Sequence, residues 1–161
     1  YLVNNASSYF PTQMNNLNED DWNDLISTNL KAPLFLCQAA AKFLIEEKGS
    51  IVNITDANEN NPKKNYIIYN LAKSGLASLT RSLAIDLAPN VRVNAVAPGA
   101  ILWPENDQES EAGYRENLLS QTFLKKQGAP KNIAKAVVFL LSTATYTTGE
   151  IIHVDGGSAY K

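Results

Sequence analysis

The sequence predicts an α/β fold, a parallel sheet with helices on both faces, and three observations carry that prediction. Short apolar runs (Ser50 to Ile54, Val91 to Val96, Gly149 to Val154) alternate with long stretches of helical periodicity. Ser50 to Ile54 is a short β-branched run, the mark of a covered parallel strand. Pro and Gly fall at the boundaries between the two kinds of segment, at Gly49, Pro89 and Pro130.

The first element is Leu2-Val3, the end of a buried strand, followed by the polar turn Asn4 to Ser8. Asn18 then caps a helix whose first turn holds Glu19, Asp20 and Asp21, acids favoured by the helix dipole. That helix runs over 19–48 with Trp22, Leu25, Ile26, Asn29 and Leu30 at helical spacing, and Pro33 is expected to bend it. The strand Ser50 to Ile54 leads through a polar loop, Asp56 to Asn65, into a helix from about 66 to 87 with a Leu76, Leu79, Leu83, Leu87 stripe. After the strand Val91 to Val96 comes a long stretch, about 98–129, with only a weak helix near 112–120. So long a connection in a compact domain usually serves a site, often as a lid. A helix from Pro130 to about Leu141 and the strand 149–154 complete the chain. Right-handed crossovers are expected throughout.

Composition sets the function classes aside in turn. The chain has 161 residues, 45% hydrophobic and 19% charged, with net charge −2. That suits one domain with a real core. A mildly acidic chain attracts neither nucleic acid nor an anionic membrane, and no apolar run approaches the roughly 20 residues of a membrane span. The N-terminus lacks the pattern of a signal peptide, so the cytoplasm is the expected compartment. Cys37 and His153 are each single, so no disulfide framework and no metal site is expected. The chain opens on strand-like apolar residues rather than on Met, which reads as a segment missing upstream.

In a parallel sheet, ligands bind beyond the carboxyl ends of the strands. The loops leaving those ends are Asn4 to Ser8, Thr55 to Asn65, and Ala97 onward. Tyr69 and Lys73 stand at i and i+4 on one helix face, where an ammonium favours phenolate and lowers the tyrosine pKa toward working pH. A pair of this kind is also common as a solvated surface contact. Asp56 follows the central strand, and Asn29 sits inside a helix where Asn is a poor former.

Taken together, these residues resemble the short-chain dehydrogenase/reductase family. The matching pieces are Asn4-Asn5-Ala6-Ser7, Asn29, Ile51-Val52-Asn53-Ile54, Tyr69-x-x-x-Lys73, Arg92-Val93-Asn94 with Pro98-Gly99, and Asp155-Gly156-Gly157. The resemblance implies a Rossmann-like doubly wound sheet, of which this chain holds the C-terminal part, strands four to seven. It also implies hydride transfer from a nicotinamide cofactor. Tyr69 would be the acid, Lys73 would hold the nicotinamide ribose and tune Tyr69, and Asn29 would hold a relay water. Asn5, Ala6, Ser7, Pro98, Gly99 and Ile101 would line the cofactor. Simpler readings exist: Asn29 bonding its own helix, and Asp155-Gly156-Gly157 forming only a turn.

Most members carry Ser where this chain has Asp56. A carboxylate beside the phenol disfavours phenolate, which suits proton delivery to a basic ring nitrogen better than alcohol oxidation. It also pairs with the amino and N–H edge of a heterocycle. The same departure occurs in pteridine reductases and their dihydromonapterin reductase relatives. There an aromatic matched by Tyr9 stacks the pterin, and a serine matched by Ser7 contacts cofactor and substrate. Trp103 is expected as a pocket wall, while Phe10 reads as ordinary packing. The resemblance thus implies NADPH-dependent pterin reduction by a homotetramer paired through helices 19–48 and 66–87.

Two other readings stand beside this one. Tyr66 lies seven residues before Lys73, the spacing of enoyl-thioester reductases of the same fold, so Tyr66 or Tyr69 could serve an enoyl-thioester or carbonyl reductase. No Gly-rich phosphate turn occurs in these residues. Without the helix N-terminus that holds a pyrophosphate, cofactor affinity is expected to collapse and Leu2-Val3 to be an exposed edge. The chain would then be a non-catalytic fragment or an assembly module.

Overall fold

The computed structural model describes residues 1–58, 61–102 and 112–160. One parallel sheet carries four strands in chain order: β1 (Leu2–Asn4), β2 (Ser50–Ile54), β3 (Arg92–Pro98) and β4 (Ile151–Val154). Leu2 sits beside Ile51, Ile51 beside Val93, and Ala95 beside Ile151. Between the strands lie α1 (Glu19–Ile26) and α2 (Ala32–Glu46), then α3 (Ile67–Asp86), then α4 (Ala112–Ser120) and α5 (Pro130–Val138).

Successive strand side chains point to opposite faces, and the two faces collect different partners. Ile51 and Val93 join Cys37 and Leu44 of α2 and Ala84 of α3. Val52 and Val96 join Leu140 and Ala144, with Ile133 and Val137 of α5 packed against them. Helices therefore cover both faces, with α2 and α3 on one and α5 on the other.

That division corrects one expectation. Each connection steps one strand along the sheet in the same direction, but the third passes over the opposite face. Its hand is therefore opposite to that of the first two, and uniformly right-handed crossovers do not occur. The rule is a strong tendency rather than a law, holding in about 98% of cases, and the connection over 99–150 is an exception to it.

The helix expected over 19–48 is two helices joined by a π-helical turn at Ser27–Lys31. Pro33 has no N–H to give the carbonyl of Asn29, so the ladder widens just ahead of it. Asn18 caps α1 as its sequence predicts, its side chain accepting from Asp21 N–H at 2.9 Å. The strand expected at 91–96 runs instead from Arg92 to Pro98, and the last strand starts at Ile151 rather than Gly149. On α3 the deepest line is not the leucine stripe. Leu76 is buried, but Ala72, Ala77, Thr80 and Ala84 share the interior with it while Leu79, Leu83 and Leu87 are half-buried. Small side chains let α3 lie close on the sheet.

Arg92 and Asn94, part of the family resemblance, have structural work here. The Arg92 guanidinium donates to the carbonyls of Leu140, Ala144 and Leu141 at 2.7, 2.9 and 2.8 Å, capping the π-helical turn Phe139–Thr143 that follows α5. Asn94 donates to Thr147 O and accepts from Glu150 N–H.

Candidate active site

The carboxyl ends of β1, β2 and β3 hold the polar residues expected there. Beyond Ile54, Thr55 N–H donates to Val96 O at 2.9 Å, so the chain stays with the sheet for one more residue before Asp56. Asp56 forms a tight turn, its Oδ1 accepting from the backbone N–H of Asn58 at 2.7 Å and from Asn58 Nδ2 at 2.9 Å. The other oxygen, Oδ2, accepts the Tyr69 hydroxyl at 2.8 Å.

Tyr69 lies in the first turn of α3 and Lys73 one turn on; both are buried. Lys73 Nζ donates to Ile54 O at 3.0 Å, at the end of β2. An ammonium has three donors, so the Ile54 bond leaves two for the vicinal hydroxyls of a ribose. That donor set fits a nicotinamide ribose, the role the resemblance gives Lys73. Burial pushes the Lys73 pKa down to about 8, against a smaller opposing pull from Asp56.

The lowering of the Tyr69 pKa expected from Lys73 does not occur, whereas the opposing effect expected from Asp56 does. Burial, then the charge and hydrogen bond of Asp56, hold it above the ordinary phenol range. Lys73 stands 5.8 Å from the Tyr69 ring centroid and spends its charge elsewhere. Tyr69 is a neutral phenol here, suited to giving a proton rather than taking one.

Asn29, fully buried in the π turn, clamps the loop that leaves β1. Its Oδ1 accepts from Ser7 Oγ at 2.6 Å, and its Nδ2 donates to Ser8 O and to Leu25 O, each at 2.9 Å. Asn29 thus bonds both its own helix and the loop. The loop is fastened again at Thr12, whose N–H donates to Asn65 O and whose Oγ1 accepts from Ile68 N–H. Between these anchors stands Tyr9, with Asn5, Ala6 and Ser7 exposed ahead of it.

Tyr9 is not free on both faces. It stacks on Tyr66 with centroids 4.8 Å apart and meets Tyr69 edge-on at 4.9 Å. Tyr66 is buried, and its hydroxyl pairs with that of Tyr9. Neither Tyr66 nor the contact that Lys63 makes with the Tyr9 hydroxyl was visible as a part of this wall in the sequence. The only signal available was a cation within a polar loop.

Pro98 ends β3 and Gly99 follows it, both half-buried. A Cβ on Gly99 would stand 2.6 Å from Asp155 Cα, so the close approach this glycine allows is to the backbone of β4's end. Asp155 caps the last turn, accepting from Gly157 N–H, Ser158 Oγ and Ala159 N–H, while Gly156 and Gly157 take positive φ. That motif is a turn. Ile101 lines a separate cavity of about 600 Å³ with Ala100, Phe123, Leu124, Asn132 and His153; neither Asp56 nor Tyr69 borders it. Trp103 lies outside the described residues. Among the described residues no helix is long and apolar enough to cross a membrane.

Known proteins are similar to this chain in sequence and in fold. The family profile described as enoyl-(acyl carrier protein) reductase matches residues 1–159. The 3-oxoacyl-(acyl-carrier-protein) reductase FabG of Thermotoga maritima is 35% identical over 159 residues, covering 97% of this chain and 64% of the relative. FabG of Staphylococcus aureus strain Mu50 is 38% identical over 163 residues, with the same coverage. The chain thus spans 64% of the length of these curated relatives. A solved structure provisionally designated a short-chain alcohol dehydrogenase, from Sinorhizobium meliloti, superposes with a TM-score of 0.92 at 32% identity, covering 99% of this chain and 66% of that one. An apo SCOR enzyme from Clostridium thermocellum gives 0.85 at 34% identity, over 99% and 63%. With the profile matched from one end to the other and the parallel sheet shared, the chain belongs to the short-chain dehydrogenase/reductase family.

Proposed function

We propose that this chain is the substrate-side part of an NADPH-dependent reductase that reduces a C=N bond of a pterin ring. The observation that carries the reading is the 2.8 Å hydrogen bond from Tyr69 to Asp56. When bound, the nicotinamide supplies the hydride; the residues here supply the proton and the grip. Tyr69 is held neutral, so its proton is available to a ring nitrogen as hydride reaches the neighbouring carbon. Asp56 Oδ2 is the acceptor for the amino and N–H edge of such a ring, and Asn58 fixes its orientation. Asn29 and Ser7 hold the loop that presents Tyr9 as a stacking wall. The role of Asn29 as holder of a relay water belongs to this proposal as well.

A second reading, reduction of the carbonyl of a 3-oxoacyl thioester, is favoured by the relatives. Both FabG proteins carry that activity in their names, and the comparisons support it better than they support a pterin. Tyr69 and Lys73 serve it equally well. Asp56 does not: a carboxylate offers no hydrogen bond to a carbonyl oxygen and opposes the charge that develops there. An enoyl reductase using Tyr66 as donor is less well supported, since Asp56 pairs with Tyr69 and the Tyr66 hydroxyl with Tyr9.

Self-association through α2 and α3 belongs to the same proposal. Phe35, Phe43, Leu71 and Ile85 are each more than half exposed on those helices, an apolar surface suited to another subunit. A homotetramer is the expected state.

The test is NADPH consumption by the full-length protein offered dihydrobiopterin, dihydromonapterin, a 3-oxoacyl thioester, an enoyl thioester and a simple ketone. Turnover of a dihydropterin is expected. Turnover confined to the 3-oxoacyl thioester would replace the first reading with the second.

A further inference from the structure

We propose that Lys63 is a positioning residue that latches Tyr9 into place as the stacking wall of the substrate pocket. This rests on reading Tyr9 as that wall. Lys63 Nζ donates to the Tyr9 hydroxyl at 2.6 Å and lies over the Tyr66 ring, 4.3 Å from its centroid. A single ammonium therefore holds both rings of the stacked pair, one by a charge-assisted hydrogen bond and the other by cation–π attraction. Lys63 is itself anchored, because its carbonyl accepts from Asn70 Nδ2 of α3 at 2.8 Å.

The latch acts where the loop needs it. Residues 5–12 are fastened at one end by Asn29 on Ser7 and Ser8, and at the other by Thr12 on Asn65 and Ile68. Tyr9 lies between those anchors and is 37% exposed. Stacking on Tyr66 and the Tyr66 hydroxyl already restrain the ring; a charge-assisted hold on its hydroxyl narrows the rotamers still to be lost when a flat substrate arrives. Lys63 removes that cost in advance, so its contribution belongs in KM rather than in kcat.

A double-mutant cycle on the full-length enzyme tests the latch. Lys63→Met removes the cation, and Tyr9→Phe keeps the ring while deleting the hydroxyl that Lys63 holds. Each is expected to raise the KM for a dihydropterin about three- to tenfold with kcat nearly unchanged. The double variant is expected to raise KM by less than the two single effects multiplied together, and Lys63→Arg should restore most of the loss. Additive effects on KM, or a fall in kcat alone, would overturn the latch. The same cycle read by urea unfolding needs no substrate. If the wild type turns over no pterin, a coupling there preserves the contact and removes the substrate reading. If the variants do not couple in unfolding, the latch itself is wrong.

Discussion

Asp56 receives the Tyr69 hydroxyl on one oxygen, while the other is held by the backbone and side-chain amides of Asn58. A carboxylate fixed on both sides cannot swing away from the phenol without breaking its own turn. Two consequences follow for the proton that Tyr69 carries. It is directed at Asp56 Oδ2, and burial beside that carboxylate makes it hard to remove in the absence of an acceptor.

The donor is separable from its neighbour by substitution. Tyr69→Phe is expected to lower kcat by about 10²- to 10⁴-fold, the usual worth of a positioned acid. Tyr66→Phe keeps the ring stacked on Tyr9 and should act mainly on KM, by a few-fold at most. Steady-state kinetics of both variants checks this, and loss of turnover in Tyr66→Phe alone would move the acid to Tyr66.

The pH profile should bear the mark of Lys73. With a pKa near 8, the ammonium loses its proton as pH rises through that value, and with it the grip on a ribose. Cofactor KM is expected to climb above pH 8, with no further loss from Tyr69 up to pH 10 because that phenol stays protonated. Stability runs the other way over the same interval. Between about 8 and 10 the unfolded chain, its lysine at the ordinary 10.5, holds a proton that the folded chain has lost, so unfolding free energy rises with pH there, by about 3 kcal/mol. Beyond pH 10 Tyr69 reverses the slope, since the folded state keeps a proton that the unfolded state gives up. Lys73→Met should abolish both the rise in stability and the kinetic limb near pH 8.

Asn29→Ala removes the clamp on the loop, with its bonds to Ser7 Oγ, Ser8 O and Leu25 O. A loss of about 1–3 kcal/mol in urea unfolding is expected, with weaker binding of cofactor and substrate together. A variant as stable as the wild type would reduce Asn29 to a bystander.

The exposed side chains of α2 and α3 give a prediction about assembly. Ile85→Glu places a charge on a residue 77% exposed and should not harm the monomer's fold. Its native mass is expected to fall below that of the wild type, and an unchanged mass would locate the subunit contact elsewhere.

Much of this arrangement was legible in the sequence, for identifiable reasons. The β-branched runs marked the strands, and the rule that ligands gather at their carboxyl ends put Asp56, Tyr69 and Ser7 in one neighbourhood before any coordinates. Asn29 stood out as a poor helix former, although the π turn that carries it depends on a proline four residues on, whose effect read only as a bend. Burial was invisible: the i, i+4 spacing of Tyr69 and Lys73 foretold a lowered phenol pKa, and desolvation reversed it. The hand of the last crossover was missed because the right-handed rule is a tendency, and nothing in the residues marks this connection as an exception. Lys63 was missed too, since its partner Tyr9 lies 54 residues away and no spacing links them. Arg92 and Asn94 were read as family marks, whereas in the structure they cap and brace.

The most direct trial of the carboxyl–phenol pair is the Asp56→Ser variant of the full-length enzyme, measured as kcat/KM for a dihydropterin relative to that for a 3-oxoacyl thioester. Serine returns the neutral donor that most of the family carries at this position. The ratio is expected to fall at least about a hundredfold, with pterin turnover lost and carbonyl turnover kept or gained. An unchanged ratio would mean that Asp56 plays no part in choosing the reaction, and the C=N reading would fall with it.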